Sequence, residues 1–241
     1  MGDVGTIFER TEKKYILSEE ERAALLTAAG DRLRPDAYPL SEIGSLYFDT
    51  PDRRMIRASI DADCYKEKLR LRAYGTPGAA SPVFLEMKKK YRGIVYKRRE
   101  CMTLAEARRF LEDGISPRPS QILSEIAWMM RQNPGIAPAA CIFYRRDAWV
   151  GYGGLRVTFD HDVLFRGDDL SLEHGAYGER VLDASLCILE LKAPGAMPFW
   201  MSELLDAGRI YPASFSKYGT AYKKFGRSAQ PDAAYREALH A

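Results

Sequence analysis

Lys66-Glu67-Lys68-Leu69-Arg70-Leu71-Arg72 is the stretch on which the fold turns. Successive side chains of a β-strand point to opposite faces. Lys66, Lys68, Arg70 and Arg72 therefore stand in one row, with Leu69, Leu71 and Ala73 in the other. A wholly cationic face has to meet water or an anion. The division recurs along the chain. Glu86, Lys88 and Lys90 share a face opposite Val83, Leu85 and Met87, and Glu190 and Lys192 share one opposite Cys187, Leu189 and Leu191. Arg10, Glu12 and Lys14 fall on one face, as do Lys97 with Arg99, Tyr144 with Arg146, and Arg156 with Thr158 and Asp160.

Charged faces of this kind either meet solvent around a leucine core or turn inward while the apolar faces pack under helices. Two features favour the second arrangement. Helical stretches with apolar stripes, such as Leu25/Leu26 and Phe110/Leu111, can cover the greasy faces. A carboxylate also precedes a lysine by two residues three times over, in Glu12/Lys14, Glu86/Lys88 and Glu190/Lys192. A closed barrel of roughly eight strands encloses a lumen of side-chain width. Lined with Lys and Arg, that lumen repels itself, and a polyanion with divalent cations relieves the repulsion. Arginine forks and lysine ammoniums suit phosphate oxygens, and carboxylates bring Mg²⁺ or Mn²⁺ to the same ligand. Together they describe a phosphoryl-transfer site.

The spacing of the remaining residues predicts an α+β protein. It is an antiparallel barrel or strongly curved sheet of about eight strands with helices outside. Strands are expected at 8–17, 45–50, 64–74, 83–90, 93–102, 140–150, 155–163, 180–183 and 187–192. Ser18/Glu21 and Thr103/Glu106 read as capping boxes opening helices that stop at Gly30 and Gly114. Further helices are expected at 122–130, 197–207 and 217–225, with a short helical turn at 53–60. No Pro/Gly/Ser-rich linker divides the chain, so residues 1–228 read as one domain followed by a tail at 229–241.

The 241 residues carry a net charge of only +3, so nothing global calls for nucleic acid or a membrane surface. The acidic start (Asp3, Glu9, Glu12) carries no leader-like apolar run, and no stretch approaches a membrane span. The chain is expected to be cytoplasmic. Cys64, Cys101, Cys141 and Cys187 form no CxxC pair, and His161, His174 and His240 form no ligand pair, which argues against a zinc site. His161 beside Asp162 is expected to be a surface residue at a strand end. Tyr47, Phe48 and Tyr65 are expected to pack in the core. There is no G-x-x-x-x-G-K-[ST] loop.

Arg10-Thr-Glu12-Lys-Lys14-Tyr15, Ser45-Leu-Tyr-Phe-Asp-Thr-Pro-Asp52, Lys68-Leu-Arg70-Leu-Arg72, Leu85-Glu86-Met-Lys88, Tyr144-Arg-Arg146, Leu189-Glu190-Leu-Lys192 and Ser214-Phe-Ser216-Lys217-Tyr218 follow one another in order. With these motifs the chain resembles the VTC-type polyphosphate polymerase domain of the triphosphate tunnel metalloenzyme superfamily. The resemblance covers nearly the whole chain. It implies a tunnel-shaped β-barrel in which the terminal phosphoryl of ATP passes to a growing polyphosphate chain, with Mn²⁺ or Mg²⁺ as cofactor.

Carried over residue by residue, it implies Lys14, Arg70, Arg72, Lys88, Lys97, Arg146, Arg156, Lys192 and Lys217 as catalytic phosphate ligands. Arg10, Lys68, Arg99 and Ser216 become additional substrate contacts. Glu190 becomes the principal metal ligand, supported by Glu12 and Glu86. Arg98 and Arg99 compete with Lys97 for its place, and Arg145 with Arg146. The implied partners are ATP or another triphosphate and inorganic polyphosphate, with room for a separate membrane partner and none for nucleic acid. The same residues suit a triphosphate hydrolase of this fold, or a module that binds polyphosphate without turnover.

Overall fold

A computed structural model describes residues 10–61, 64–92 and 94–226. The expected start of the first strand before Arg10 and the tail at 229–241 lie outside these residues. The elements are β1 (Arg10–Ser18), α1 (Glu19–Ala29), β2 (Leu33–Asp49), α2 (Arg54–Asp61), β3 (Tyr65–Tyr74), β4 (Pro82–Tyr91) and β5 (Ile94–Thr103). There follow α3 (Leu104–Asp113), α4 (Gln121–Gln132), β6 (Ala137–Gly151), β7 (Arg156–Arg166), β8 (Glu179–Arg180), β9 (Leu186–Pro194), α5 (Phe199–Ala207) and α6 (Lys217–Ala221). Hydrogen bonding orders the strands β1-β9-β7-β6-β2-β3-β4-β5, with β8 on β7. All registered pairs are antiparallel. Among the described residues the hydrogen bonds form a path rather than the closed ring that a barrel implies.

The chain forms two compact units. In the first (Met1–Ser41, Tyr144–Val163 and Leu182–Phe215), β1, β9 and β7 pair side by side. One face of that sheet carries Tyr15, Leu17, Val157, Phe159, Leu189 and Leu191, which pack with Leu25 and Ala29 of α1 and Met201 and Leu205 of α5. Ser18 opens α1 as the capping box predicts: its side chain accepts from Glu21 N–H while the Glu21 carboxylate accepts from Ser18 N–H at 2.7 Å.

In the second unit (Glu42–Phe143, Leu164–Val181 and Ser216–Ala241), the end of β2 pairs β3, β3 pairs β4, and β4 pairs β5. Leu46, Phe48, Leu69, Leu71, Val83, Leu85 and Met87 form one face, packed against Ala107 and Phe110 of α3 and Leu123, Ile126 and Met129 of α4. The α3 capping box at Thr103/Glu106 and its Gly114 stop, at φ 72°, are also as predicted. In both units, then, the apolar rows lie under helices. The cationic rows occupy the other face of the strands, as the alternation requires.

Three expectations needed correcting. The short strand at 45–50 is the end of a 17-residue β2. Its first half is mostly exposed and carries Pro35 and Pro39, so neither hydrophobic alternation nor strand propensity marks it. The strand at 180–183 is the two-residue β8. The last helix is the five-residue α6, and the chain then loosens into a π-turn at Tyr222–Gly226. No described helix is long and apolar enough to cross a membrane.

Candidate functional site

In the first unit, the register β1–β9–β7 sets Lys14 and Thr158 on either side of Glu190, and Glu12 and Arg156 on either side of Lys192. Lys192 Nζ lies 2.9 Å from Glu190 Oε2, and Arg146 Nη2 lies 3.6 Å from the same oxygen. Arg146 is fixed by a bidentate bond to Asp160, donating from Nε at 2.6 Å and Nη2 at 2.8 Å. Asp160 is completely buried. Lys14 Nζ donates to the Phe215 carbonyl at 3.3 Å and stands 3.9 Å from Glu12.

Burial works to raise the Glu190 pKa, but the Lys192 ammonium, a side-chain hydrogen bond with Glu12 and the Lys14 charge hold it well below the usual carboxylate range. Burial pulls Lys192 down, against the pull of Glu190. Burial would also lower the Arg146 pKa, yet Tyr144, Asp160 and Glu190 keep it raised. The Thr158 hydroxyl beside Glu190 is buried and has no hydrogen-bond partner among the described residues. Arg156 is in register with Lys192, but its guanidinium donates to Asp36 at 2.8 Å.

The second unit holds the other cluster. Glu86 on β4 is 2% exposed and sits opposite Arg70 on β3. Arg70 Nη2 approaches Glu86 Oε2 at 2.6 Å, and Arg72 Nε lies 4.0 Å from it. Lys97 Nζ lies 2.8 Å from Oε1, a charge-assisted hydrogen bond to the other oxygen. Burial opposes ionisation of Glu86, but Arg70, Arg72 and Lys97 outweigh it and bring its pKa down to about 2. Burial in turn lowers Lys97.

Tyr47 was expected in the core. It is buried, yet its ring lies within this row: its hydroxyl accepts from Arg70 Nη1 at 3.1 Å and the Arg70 guanidinium lies over its ring. Burial would raise the Tyr47 pKa, but Arg70, Lys68 and Arg72 bring it down to about 8. Tyr218 stacks on Tyr47 at 4.7 Å and donates to Asp49 at 3.3 Å. The Asp49 carboxylate in turn accepts from the backbone of Met55 and Ile56 at the start of α2.

Ser216 accepts from Lys68 Nζ at 3.1 Å and from Gly219 N–H at 3.2 Å, so it caps α6 and holds Lys68. Lys217 is the next residue, the first of α6. Lys88 is in register with Lys68 and Lys97. Arg99 faces Glu86 in register, but its guanidinium lies over the Phe84 ring at 4.6 Å.

Two alternatives left open by the sequence are separated here. Arg145 pairs with Asp162, leaving Arg146 at Glu190, and Arg98 pairs with Glu125 of α4, leaving Lys97 at Glu86. The side chain of Arg10 lies outside the described ones. Asp160, Tyr47 and Tyr218 are the polar partners that sequence reasoning did not single out. Asp160 did carry a signal, falling in the charged row of Arg156 and Thr158. His161 is also not a surface residue: its side chain is 14% exposed, between Glu19 and Asp147.

Comparison with protein families matches the VTC domain over residues 9–225. A search of curated proteins finds no match. Among solved structures, a Bacillus halodurans protein described as a candidate adenylate cyclase aligns with a TM-score of 0.54 at 15% identity, over 89% of this chain and 95% of the other. A Hippeastrum protein, described as a candidate adenylyl cyclase with a dominant triphosphatase activity, aligns with a TM-score of 0.52 at 16% identity, over 88% of this chain and 94% of its own. The fold is the triphosphate tunnel fold.

Proposed function

The chain belongs to the VTC domain family, and from that premise we propose that it is a metal-dependent polyphosphate polymerase. It would move the terminal phosphoryl of ATP onto the end of a polyphosphate chain, with residues 1–228 acting as one domain. One observation carries the reading. In each unit, cations stand around a buried carboxylate on the strand face opposite the one that α1 and α5, or α3 and α4, cover: Lys14, Arg146 and Lys192 at Glu190, and Arg70, Arg72 and Lys97 at Glu86.

In this reading Lys14, Arg70, Arg72, Lys88, Lys97, Arg146, Arg156, Lys192 and Lys217 grip phosphate oxygens. Arg10, Lys68, Arg99 and Ser216 extend the grip. Asp160 aims Arg146. A terminal phosphate oxygen of the polymer attacks the γ-phosphorus in line, ADP leaves, and the polymer grows by one phosphate. No protein nucleophile is needed, because the residues position the reactants and neutralise charge.

The donor set suits a hard divalent cation such as Mn²⁺ or Mg²⁺. Glu190 and Glu12 offer carboxylate oxygens in mutual contact, and Thr158, whose hydroxyl has no hydrogen-bond partner among the described residues, is in register with Glu190. Such a cation would supply positive charge to neutralise phosphate. Glu86 is a supporting ligand candidate whose carboxylate also balances the second cluster. The enzyme would work in the cytoplasm without nucleic acid, and a separate membrane partner is compatible with it.

Incubation with ATP and Mn²⁺, followed by a gel stained for polyphosphate, tests the proposal. Polymer should form with the unmodified chain and be lost in Glu190→Ala. Orthophosphate without polymer would point to a triphosphate hydrolase, the activity named for the Hippeastrum protein. Tight polyphosphate binding that survives Glu190→Ala, with no product under any metal, would point to a binding module.

A further inference from the structure

Another group of donor atoms lies in the first unit, on the face of the sheet that α1 covers. Glu19 is the first residue of α1, His161 lies in β7 and Cys187 in β9. One ligand atom from each lies within 4.8 Å of the others. Cys187 alternates with Glu190 across β9 and packs in the core with Leu25 and Ala29, so this group stands apart from the Glu190 row.

We infer that Glu19, His161 and Cys187 form a binding site for a zinc-like transition-metal cation. The ligand types are those such a cation takes: one thiolate, one imidazole, one carboxylate and an open fourth position. Surrounding bonds already orient Glu19 and His161. His161 presents Nδ1 to Glu19 at 2.8 Å and Nε2 to Asp147 at 3.1 Å. With the cation on Nδ1, Nε2–H donates to Asp147, the carboxylate–histidine–metal arrangement that fixes tautomer and ring plane. Arg22 holds the far oxygen of Glu19 at 2.8 Å and lies 3.4 Å from Asp147.

The charges also close. Glu19, Asp147 and the Cys187 thiolate bring three negative charges, which the dication and Arg22 balance while His161 stays neutral. Burial pushes the Cys187 thiol up to about 12, so it holds its proton until a cation displaces that proton to solvent. Tetrahedral coordination at ~2.0–2.3 Å sets donors roughly 3.3–3.8 Å apart, within reach of small side-chain rotations. No local motif announces such a site, because its ligands are far apart along the chain.

Cobalt(II) is the probe, since a thiolate-to-cobalt charge-transfer band marks sulfur ligation and stays silent at an all-oxygen site. The measurement uses the chain carrying Cys64→Ser and Cys101→Ser, which removes the two exposed thiols. One equivalent of cobalt should raise the band, and zinc should displace it. Cys187→Ala should abolish the band, and Asp147→Asn should weaken binding roughly 10–100-fold. Glu190→Gln should leave the band intact. Native mass spectrometry of the unmutated chain gives a reading that does not depend on any variant folding: one zinc ion retained with loss of the thiol proton. No band at saturating cobalt, or a band that persists in Cys187→Ala, overturns the inference and leaves His161 as a side chain hydrogen-bonded between Glu19 and Asp147.

Discussion

Glu86→Gln removes the negative charge that balances Arg70, Arg72 and Lys97 while keeping the side chain's shape. The carboxylate is 2% exposed, with Arg70 at 2.6 Å and Lys97 at 2.8 Å. A pKa brought from its ordinary 4.5 to about 2 corresponds to about 3 kcal/mol of folding stability. Removal of one partner of a buried pair costs ~3–5 kcal/mol, which agrees. For a chain of this size that is a fall in Tm of roughly 6–12 °C.

The sign with pH follows from the depressed value. The stabilisation is fully present above the unfolded pKa near 4.5 and is lost as pH falls through about 2. The gap in stability between the two proteins should therefore be full at neutral pH and close between about pH 4.5 and 2. Triphosphate separates charge balance from packing. It brings negative charge to the row that Glu86 no longer neutralises, so it should raise Tm more in Glu86→Gln than in the parent. Thermal unfolding followed by fluorescence, with and without millimolar tripolyphosphate, reads both effects. Equal stability of the two proteins at pH 7, or a smaller triphosphate shift in the variant, would refute the reasoning.

Arg70→Ala should lower both activity and Tm, the latter by roughly 3 kcal/mol of stability, because Arg70 is an ion-pair partner as well as a phosphate ligand candidate; an unchanged melting curve would detach it from Glu86. Tyr47 should titrate near pH 8 in an ultraviolet phenolate titration that uses Tyr47→Phe as the blank, and tripolyphosphate should move it upward by offsetting Arg70, Lys68 and Arg72; a titration unmoved by saturating ligand would separate Tyr47 from the anion site. Gly178→Ala should cost at least ~2 kcal/mol in denaturant unfolding, since its Cβ would lie 2.2 Å from the Phe165 carbonyl oxygen at a φ of 140°; wild-type stability would mean that this turn yields.

Much of the site was legible because period-two alternation is local. Once residues 66–72 are a strand, Arg70 and Arg72 must share a face and Leu69 and Leu71 the other. The two capping boxes were legible for the same reason: a hydroxyl and a carboxylate three residues apart complete their bonds within one turn. β2 was not, because Pro35 and Pro39 sit in an exposed half whose extended form depends on neighbouring strands. Tyr47 looked like a core aromatic because nothing local says that Arg70 lies opposite it.

The order of residues by itself thus determined which side chains share a strand face, where the capped helices begin, and the family to which the motifs belong. Tertiary structure alone decided the partners: Arg146 with Asp160 and Glu190, Lys97 with Glu86, and His161 between Glu19 and Asp147. Alternation is a property of neighbouring residues, whereas strand order and register join residues on different strands, as far apart as Lys14 and Glu190, and the charge state of each buried group follows from those neighbours across strands.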